Sequence, residues 1–526
     1  MNHHNPSRMK KSILVVTLLV SSAGLWSACT EILEPDPKSF TSTANFYETE
    51  EDMVSAVNGA YNRLRTQAGI SNVHFNFWNE IRSDVINRHF NVNHPSIEGQ
   101  PIAEWFVVPS NSWIEAQWSQ IYNTVTQTNI ILNRIDGVEF DDETLKNQLV
   151  GEAKFLRALS YWYAVQYWGE VPIVLEEVTS PDESLPEGGR RPRSEVFDQI
   201  ISDLTDASDL LPAEAADPGR VTKGAALFLL GRTYLLSEDY QLAAETLEEV
   251  ESSFGYVLLE NYSDIWNPAN TNNEESIFEL QFGADVTGQP HADILRQVLP
   301  WTSRGVFTTQ ALEPEGWMCP SLEFIQMYED GDERHEATIS YWVNEGNADY
   351  PEVTFFGDSL AMINKHIWLD HVNSQGQQAG NDILFRYADL LLSLAEAYWR
   401  VDPVGYEGEI TALLNRIRSR AGLPDVDLAN VPDVPMLSGT YLESDDIGRA
   451  IFRERTIELF AEGHRMFDLI RFGVAFEAIH NQAESRKSRE PRIRGTYNME
   501  PHEMLLPIPT REITTTEGLI EQNPGW

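Results

Sequence analysis

Apolar side chains return every three or four residues through much of this chain, the spacing that lays them along one face of a helix. In EEDMVSAVNGAYNRLRTQ (50–67), Met53, Val57, Ala60, Tyr61 and Leu64 share such a face, and in WSQIYNTVTQTNIILNRI (118–135) Ile121, Tyr122, Val125, Ile130 and Leu132 repeat it. EAKFLRALSYWYAVQYWGEVP (152–172) predicts a third helix, richer in aromatic residues, with Gly169 as its stop and Pro172 shortly beyond. In LLGRTYLLSEDYQLAAETLEEV (229–250), Leu230, Gly231, Tyr234, Ala243 and Leu247 fall at tetratricopeptide spacing, where small residues let two helices approach and larger ones fill between them. A looser match, LLSLAEAYWR (391–400) followed by ITALLNRIRSRAGLP (410–424), lies far along the chain. The pattern therefore predicts a mostly α protein with tetratricopeptide-like pairs embedded in a larger fold, not a regular solenoid.

The helical rhythm fades over 255–380, where Gly, Pro, Asn and aromatic residues are interspersed with short strand-like runs such as SIFELQF (276–282). These residues read as irregular loops with a few strands laid over a helical base. A proline- and aspartate-rich insertion follows at 425–445, and then IGRAIFRERTIELFAEGHRMFDLIRFG (447–473) predicts one long helix. Glu454, Glu458, Glu462, Arg465, Asp468 and Arg471 bring opposite charges to i, i+3 positions along it, a spacing that can lace a helix together. A structural network is expected there in preference to a catalytic acid–base pair. ESRKSREPRIRG (484–495) contains a basic run, 486–494, with two readings: a solvated loop paired with the acidic body, or a contact for a partner or an anionic ligand.

The first 28 residues differ from all of this. Arg8, Lys10 and Lys11 precede an apolar stretch, 13–26, too short to span a bilayer and suited to a secretory signal. Cys29 follows at once, in LWSAC, with an acidic, proline-bearing stretch, TEILEPDPKSFTSTAN (30–45), behind it. Ala28 suits an ordinary cleavage site, but Trp26 is bulky where that site needs a small residue. LWSAC resembles a bacterial lipobox, in which the cysteine becomes a lipidated N-terminus; a plain signal peptide with an incidental cysteine is the alternative. One acyl chain binds a membrane marginally, and two or more hold stably. Cys319, the second of only two cysteines, would then have no partner for an intramolecular disulfide.

Charge narrows the function. The net charge of −43 becomes −46 once the three cations of the signal are removed, a field that repels phosphate backbones and argues against nucleic-acid binding. Catalytic and metal motifs are missing. GDSLA (357–361) lacks the second glycine of a nucleophile elbow, HEMLL (502–506) lacks the second histidine of a zinc helix, and His366 and His371 are five apart. YEDGDERHE (328–336) has acids and a glycine without the ligand ladder of a calcium loop. No cofactor or metal is expected.

Six stretches carry a resemblance: EAKFLRALSYWYAVQYWGEVPIV, GRVTKGAALFLLGRTYLLSEDYQLAAE, RYADLLLSLAEAY, LLNRIRSRAGLP, RERTIELFAEGHRMFDLIRFG, and the closing LLPIPTREI with LIEQNPGW. Their order resembles that of the RagB/SusD family of Bacteroidetes nutrient-binding lipoproteins, over nearly the whole chain after the signal. The resemblance implies a SusD-like helical fold with an irregular, loop-rich ligand face. It implies a lid on the cell exterior, anchored to the outer membrane through Cys29, that takes up oligosaccharides or another nutrient without cleaving them. It also implies a SusC-like TonB-dependent transporter as partner. The expected organisation is a lipoprotein signal (1–28), a lipidated tether (29–45), an N-terminal helical region (46–255) and a C-terminal region with the ligand loops (256–526).

Sugars present apolar C–H faces and a rim of hydroxyls, which aromatic faces and Asn, Asp, Gln or Arg side chains suit. Among the tryptophans, Trp118, Trp162 and Trp168 sit in periodic helices and are expected in the core. Trp105, Trp301 and Trp317 sit in the aperiodic stretches 91–113 and 299–318 and are the candidate stacking platforms, with Asn91, His94 and Arg304 as polar partners; for each, burial in the core is an equal alternative. Two other function classes stay open on the residues alone: a glycan-cleaving enzyme, which would need two carboxylates in the aromatic cleft, and a helical-repeat adaptor whose ligand is a protein.

Overall fold

The computed structural model describes residues 46–65, 78–87, 98–178, 189–282, 298–299, 318–343, 359–371, 380–489 and 499–526. Four helices of the first half follow the apolar rhythm: α1 (Glu50–Arg65), α2 (Ser112–Arg134), α3 (Glu143–Trp168) and α4 (Arg193–Leu210). Asn111 caps α2, its side chain accepting from the backbone N–H groups of Trp113 and Ile114. Gly169 ends α3 at φ +73°, as its position in the sequence predicts. Then α5 (Lys223–Leu236) and α6 (Tyr240–Ser253) form the tetratricopeptide-like pair. A Cβ on Gly231 would lie 2.6 Å from Leu247 Cγ, so only glycine allows this approach of the two helices.

Successive helices pack on one another from α1 to α6, and α6 then packs on α7 (Tyr387–Val401), more than 130 residues later. The second helix pair, α7 with α8 (Glu407–Arg420), thus continues the first stack directly. Residues between α6 and α7 leave that stack and return to it. Their described part holds β2 (Ser276–Leu280), β3 (Cys319–Pro320), β4 (Ile339–Val343) and β5 (Ser359–Ile363), ending in β6 (Asp382–Arg386). β2 pairs with β6 and β4 with β5, both antiparallel. The mostly α fold and the irregular middle agree with the sequence reading.

The stretch 447–473 does not form one helix. It divides into α9 (Asp446–Glu458) and α10 (Arg465–Arg471), separated by a turn in which Ala461 and Gly463 take φ of +61° and +83°. Side chains from distant elements capture the carbonyls that a continuous helix would use. Arg386 and Tyr262 donate to the Glu458 carbonyl (2.8 and 2.6 Å), Lys365 to Phe460 (2.8 Å), His366 to Ala461 (3.0 Å) and Asn79 to Gly463 (2.8 Å). The signature charges likewise pair outward. Arg386 joins Glu275 (2.8 Å), Glu458 (2.6 Å) and Glu462 (2.7 Å), Arg334 joins Glu454 and Glu458, and Arg471 joins Glu396. Of the six, only Asp468 and Arg471 pair at i, i+3 among the described residues. The network is structural, but it ties helices to loops and to one another. The basic run begins as the last turns of α11 (Ala475–Arg489), where Arg486 is buried, and not as a loop; residues 490–494 lie outside the described residues.

Removing one partner of a buried ion pair leaves an uncompensated charge, at about 3–5 kcal/mol. Arg386→Ala is therefore expected to destabilise the protein by roughly that amount in chemical denaturation. The pH dependence follows from the same groups. Burial alone would raise Glu462, but Arg386 and Lys365 hold it down at about 2, and hydrogen bonds from Arg418 with the charge of Arg453 hold Glu329 at about 2. Each contributes stability above the ordinary carboxyl pKa that disappears as pH falls through the native value. His366 and His464, pushed by burial to about 4, act in the same sense, because the unfolded chain takes up their protons first as pH drops. Glu80 and Asp382, raised by burial to about 7 and about 8, oppose this only at higher pH, where the unfolded chain has already ionised them. The melting temperature is expected to fall from roughly pH 4 to 2.

Candidate functional site

The chain just before the aperiodic stretch 91–113 and the chain just after 299–318 meet at a two-residue ladder. β1 (Ile86–Asn87) pairs antiparallel with β3, Ile86 opposite Pro320 and Asn87 opposite Cys319, and the Ser321 N–H extends the ladder to the Val85 carbonyl at 2.7 Å. Chain leading to residue 91 thus leaves from beside the point where chain from residue 317 returns. So short a ladder has little stability of its own, and its firmness comes from below. Residues 78–86 are buried throughout. Asp84 takes a two-pronged bond from Arg465 (2.7 Å on each oxygen), Glu80 accepts from the Gly463 N–H (3.0 Å), and Arg82 donates to the Glu503 carbonyl (2.6 Å). The turn between α9 and α10 is therefore the seat on which 78–87 rests. Burial lowers Arg82 to about 10, which leaves it charged at neutral pH.

Trp105 packs beneath Arg82 of this segment. It is 8 % exposed, at φ +57°, with the Arg82 guanidinium 4.8 Å from its ring centroid. The ring is packed into the core and faces a cation, so it offers little open surface for stacking a sugar as it stands. Trp301, Trp317, Asn91, His94 and Arg304 lie outside the described residues, as does Cys29. What the described structure brings together is the anchor points of the segments that carry five of them. Trp118, Trp162 and Trp168 are buried, as their helical spacing predicts. Trp526, at the end of the chain, sets its ring 4.9 Å from that of His502. The sequence reading passed over Glu80, Arg82 and Asp84. Charged residues set among Trp78, Ile81, Val85 and Ile86 were the available signal, since charges in an apolar stretch are buried only when paired.

The chemistry on offer is that of recognition. Two of the acids of 328–336 are engaged: Glu329 by Arg418 and Arg453 (each 2.8 Å), and Asp332 by Arg334 (2.8 Å). His366 is committed to the Ala461 carbonyl, and Cys319 is a buried thiol. Among the described residues no group of three His, Cys, Asp or Glu side chains is placed to hold a metal, and no helix is long and apolar enough to cross a membrane.

Residues 274–526 match a family model described as the SusD family, and residues 33–235 match one described as starch-binding associating with outer membrane. The chain belongs to the SusD family. SusD-like protein P25 of Formosa agariphila is 26% identical over 98% of both chains, and the starch-binding protein SusD of Bacteroides thetaiotaomicron is 31% identical over 33% of this chain and 31% of its own. Among solved structures, a laminarin-binding SusD-like protein superposes with a TM-score of 0.71 at 26% identity, covering 91% of this chain and all of that one. A SusD homologue from Bacteroides thetaiotaomicron gives 0.74 at 20% identity, covering 93% and 100%, a likeness of fold.

If Trp105 is core, Trp105→Ala should lower stability by about 3–5 kcal/mol in denaturant unfolding. A Trp105→Ala protein with wild-type stability would return this ring to the ligand face.

Proposed function

We propose that this SusD-family protein is a surface-exposed lipoprotein that captures neutral oligosaccharides and passes them to a SusC-like TonB-dependent transporter in the outer membrane, without cleaving them. The likeness to a laminarin-binding relative at 26% identity over 91% of the chain carries the reading. The description of the N-terminal family model as starch-binding and outer-membrane associated points the same way. Trp301 and Trp317 supply apolar faces for sugar rings, Asn91, His94 and Arg304 supply hydrogen bonds to hydroxyls, and buried Trp105 supports them. The ladder at Asn87 and Cys319 favours one shared site for the two segments.

A protein so acidic disfavours polyanionic ligands, which is why neutral glycans are the expected class. Hydrolysis would need two uncommitted carboxylates facing the sugar, whereas Glu329, Asp332 and the acids of the α9–α10 signature are held by arginines and lysine. Cys29 carries the acyl chains that keep the protein at the membrane.

Calorimetric titration with maltooligosaccharides and laminarioligosaccharides tests this. Saturable binding with no product formed is expected, and Trp301→Ala and Trp317→Ala should each weaken it by roughly tenfold or more, about 1.4 kcal/mol. Release of new reducing ends, or binding indifferent to both tryptophans, would contradict the proposal.

A further inference from the structure

Gly463, in the turn between α9 and α10, is gripped at both its carbonyl and its N–H by two consecutive side chains. Asn79 Nδ2 donates to the carbonyl at 2.8 Å, and the N–H donates to Glu80 Oε1 at 3.0 Å. Glu80 is 1 % exposed and differs from other acids of the interior. Glu458, Glu462, Asp389 and Asp468 each meet an arginine, and Asp84, on the same segment as Glu80, meets Arg465. Among the described residues no cation lies within ion-pair distance of Glu80. Its Oε2 is buried with no hydrogen-bond partner; the Arg465 N–H approaches the carboxyl without completing a bond to that oxygen. Oδ1 of the preceding Asn79 is likewise buried and unbonded.

The charged and titratable groups around it are already engaged. Arg465 of α10 holds Asp84 on both oxygens, and Lys365 holds Glu462 and the Phe460 carbonyl. Glu462 is held ionised by Arg386 and Lys365. His366 and His464, pushed by burial to about 4, are neutral at pH 7, as is Tyr167 of α3, whose phenol burial raises. On the same segment, Arg82 turns to the Glu503 carbonyl. Burial therefore outweighs the attraction of Arg465 and Lys365, and raises Glu80 to about 7. A buried carboxylate without a paired cation tends to give up its charge. Ionised, Glu80 leaves two acceptors beside Gly463, its own Oε2 and Asn79 Oδ1, with no hydrogen; a proton on the carboxyl supplies one.

We infer that Glu80 is a proton-operated latch between the segment 78–87 and the turn 459–464. With its proton on, the neutral carboxyl grips Gly463 and holds the segment down. When the segment lifts, the proton passes to water and the charge is hydrated, so alkaline conditions favour the lifted form. A carboxyl held above its ordinary pKa stabilises the closed form fully at acid pH, and that contribution is lost as pH rises through the native value. Residue 87 ends this segment and leads directly to 88–97, so the latch sets how firmly the entry to that stretch is held. The inference is independent of what the ligand face binds.

Glu80→Gln keeps an acceptor for the Gly463 N–H and replaces Oε2 by an amide nitrogen, so it should imitate the closed latch at every pH. The test compares it with the wild type, both as the detergent-solubilised full chain, by amide hydrogen exchange at about pH 6 and about pH 8.5. Exchange of 78–87 is referred to that of α7 in the same sample, which cancels the intrinsic rate. In the wild type the ratio should rise by roughly fivefold or more between the two conditions, and in Glu80→Gln it should stay constant. The melting temperature of Glu80→Gln minus that of the wild type should grow over the same interval, a difference that cancels the titration of Asp382 and the histidines. An unchanged wild-type ratio, or the same rise in Glu80→Gln, overturns the inference. So does a Glu80→Gln chain that fails to fold, because a neutral isostere then does not replace the protonated acid.

Discussion

Arg386 sits where the whole body is tied together. Its guanidinium is 1 % exposed and reaches Glu275 before β2, Glu458 at the end of α9 and Glu462 in the following turn, while its Nη2 also holds the Glu458 carbonyl. A charge buried this deeply is tolerable only when each of its donors meets an acceptor in a fixed place. That requirement fixes the turn 459–464, and the turn in turn receives Asn79, Glu80 and, through Arg465, Asp84. The placement of residues 78–87 is therefore set by electrostatic satisfaction in the interior more than by the two-residue ladder above it. Such networks add less net stability than their Coulomb energy suggests. Here the gain is position.

The same network gives the odd composition a physical sense. Lysine is rare, and arginine is used where a planar fork can hold two carboxylate oxygens at once, as Arg157 does with Asp203 and Arg465 with Asp84. Arg232, Arg334, Arg386 and Arg455 are nearly inaccessible. These cations are buried together with the carboxylates they hold, so the chain's large excess of acid is carried outside this network. An excess of that kind repels anionic polymers and leaves recognition of neutral ligands to shape, aromatic faces and hydrogen bonds.

Much of the helical frame was legible because its signal is local. Apolar spacing located α1, α2, α3 and the α5–α6 pair, and Gly169 marked the end of α3. The break between α9 and α10 was not legible. Its causes, Lys365, His366, Asn79 and Arg386, lie about 70 to 390 residues away and act on backbone carbonyls, which leave no trace in a local pattern. Direct stacking of α7 on α6 was equally hidden, since periodicity says which face is apolar and not which helix covers it. For the site, aperiodic texture pointed to two segments whose ends do meet, yet it could not separate an aromatic ring above the seat from one beneath it. Trp105 is beneath, because Arg82, far back along the chain, covers its face. Arg486 shows the same blindness: a run of charge concealed a helical turn whose neighbours Ala478, Ile479 and Ala483 are buried.

Buried ion pairs preorganise the body, so the glycan capture proposed above requires residues 88–97 and 300–317, and not the buried helices, to respond to ligand. Amide hydrogen exchange read by mass spectrometry, with and without saturating maltooligosaccharide or laminarioligosaccharide, addresses this most directly. New protection is expected only at residues 88–97 and 300–317, with α7, α9 and α10 equally slow in both states. Protection that arises in those buried helices on binding, with 88–97 and 300–317 unchanged, would contradict it.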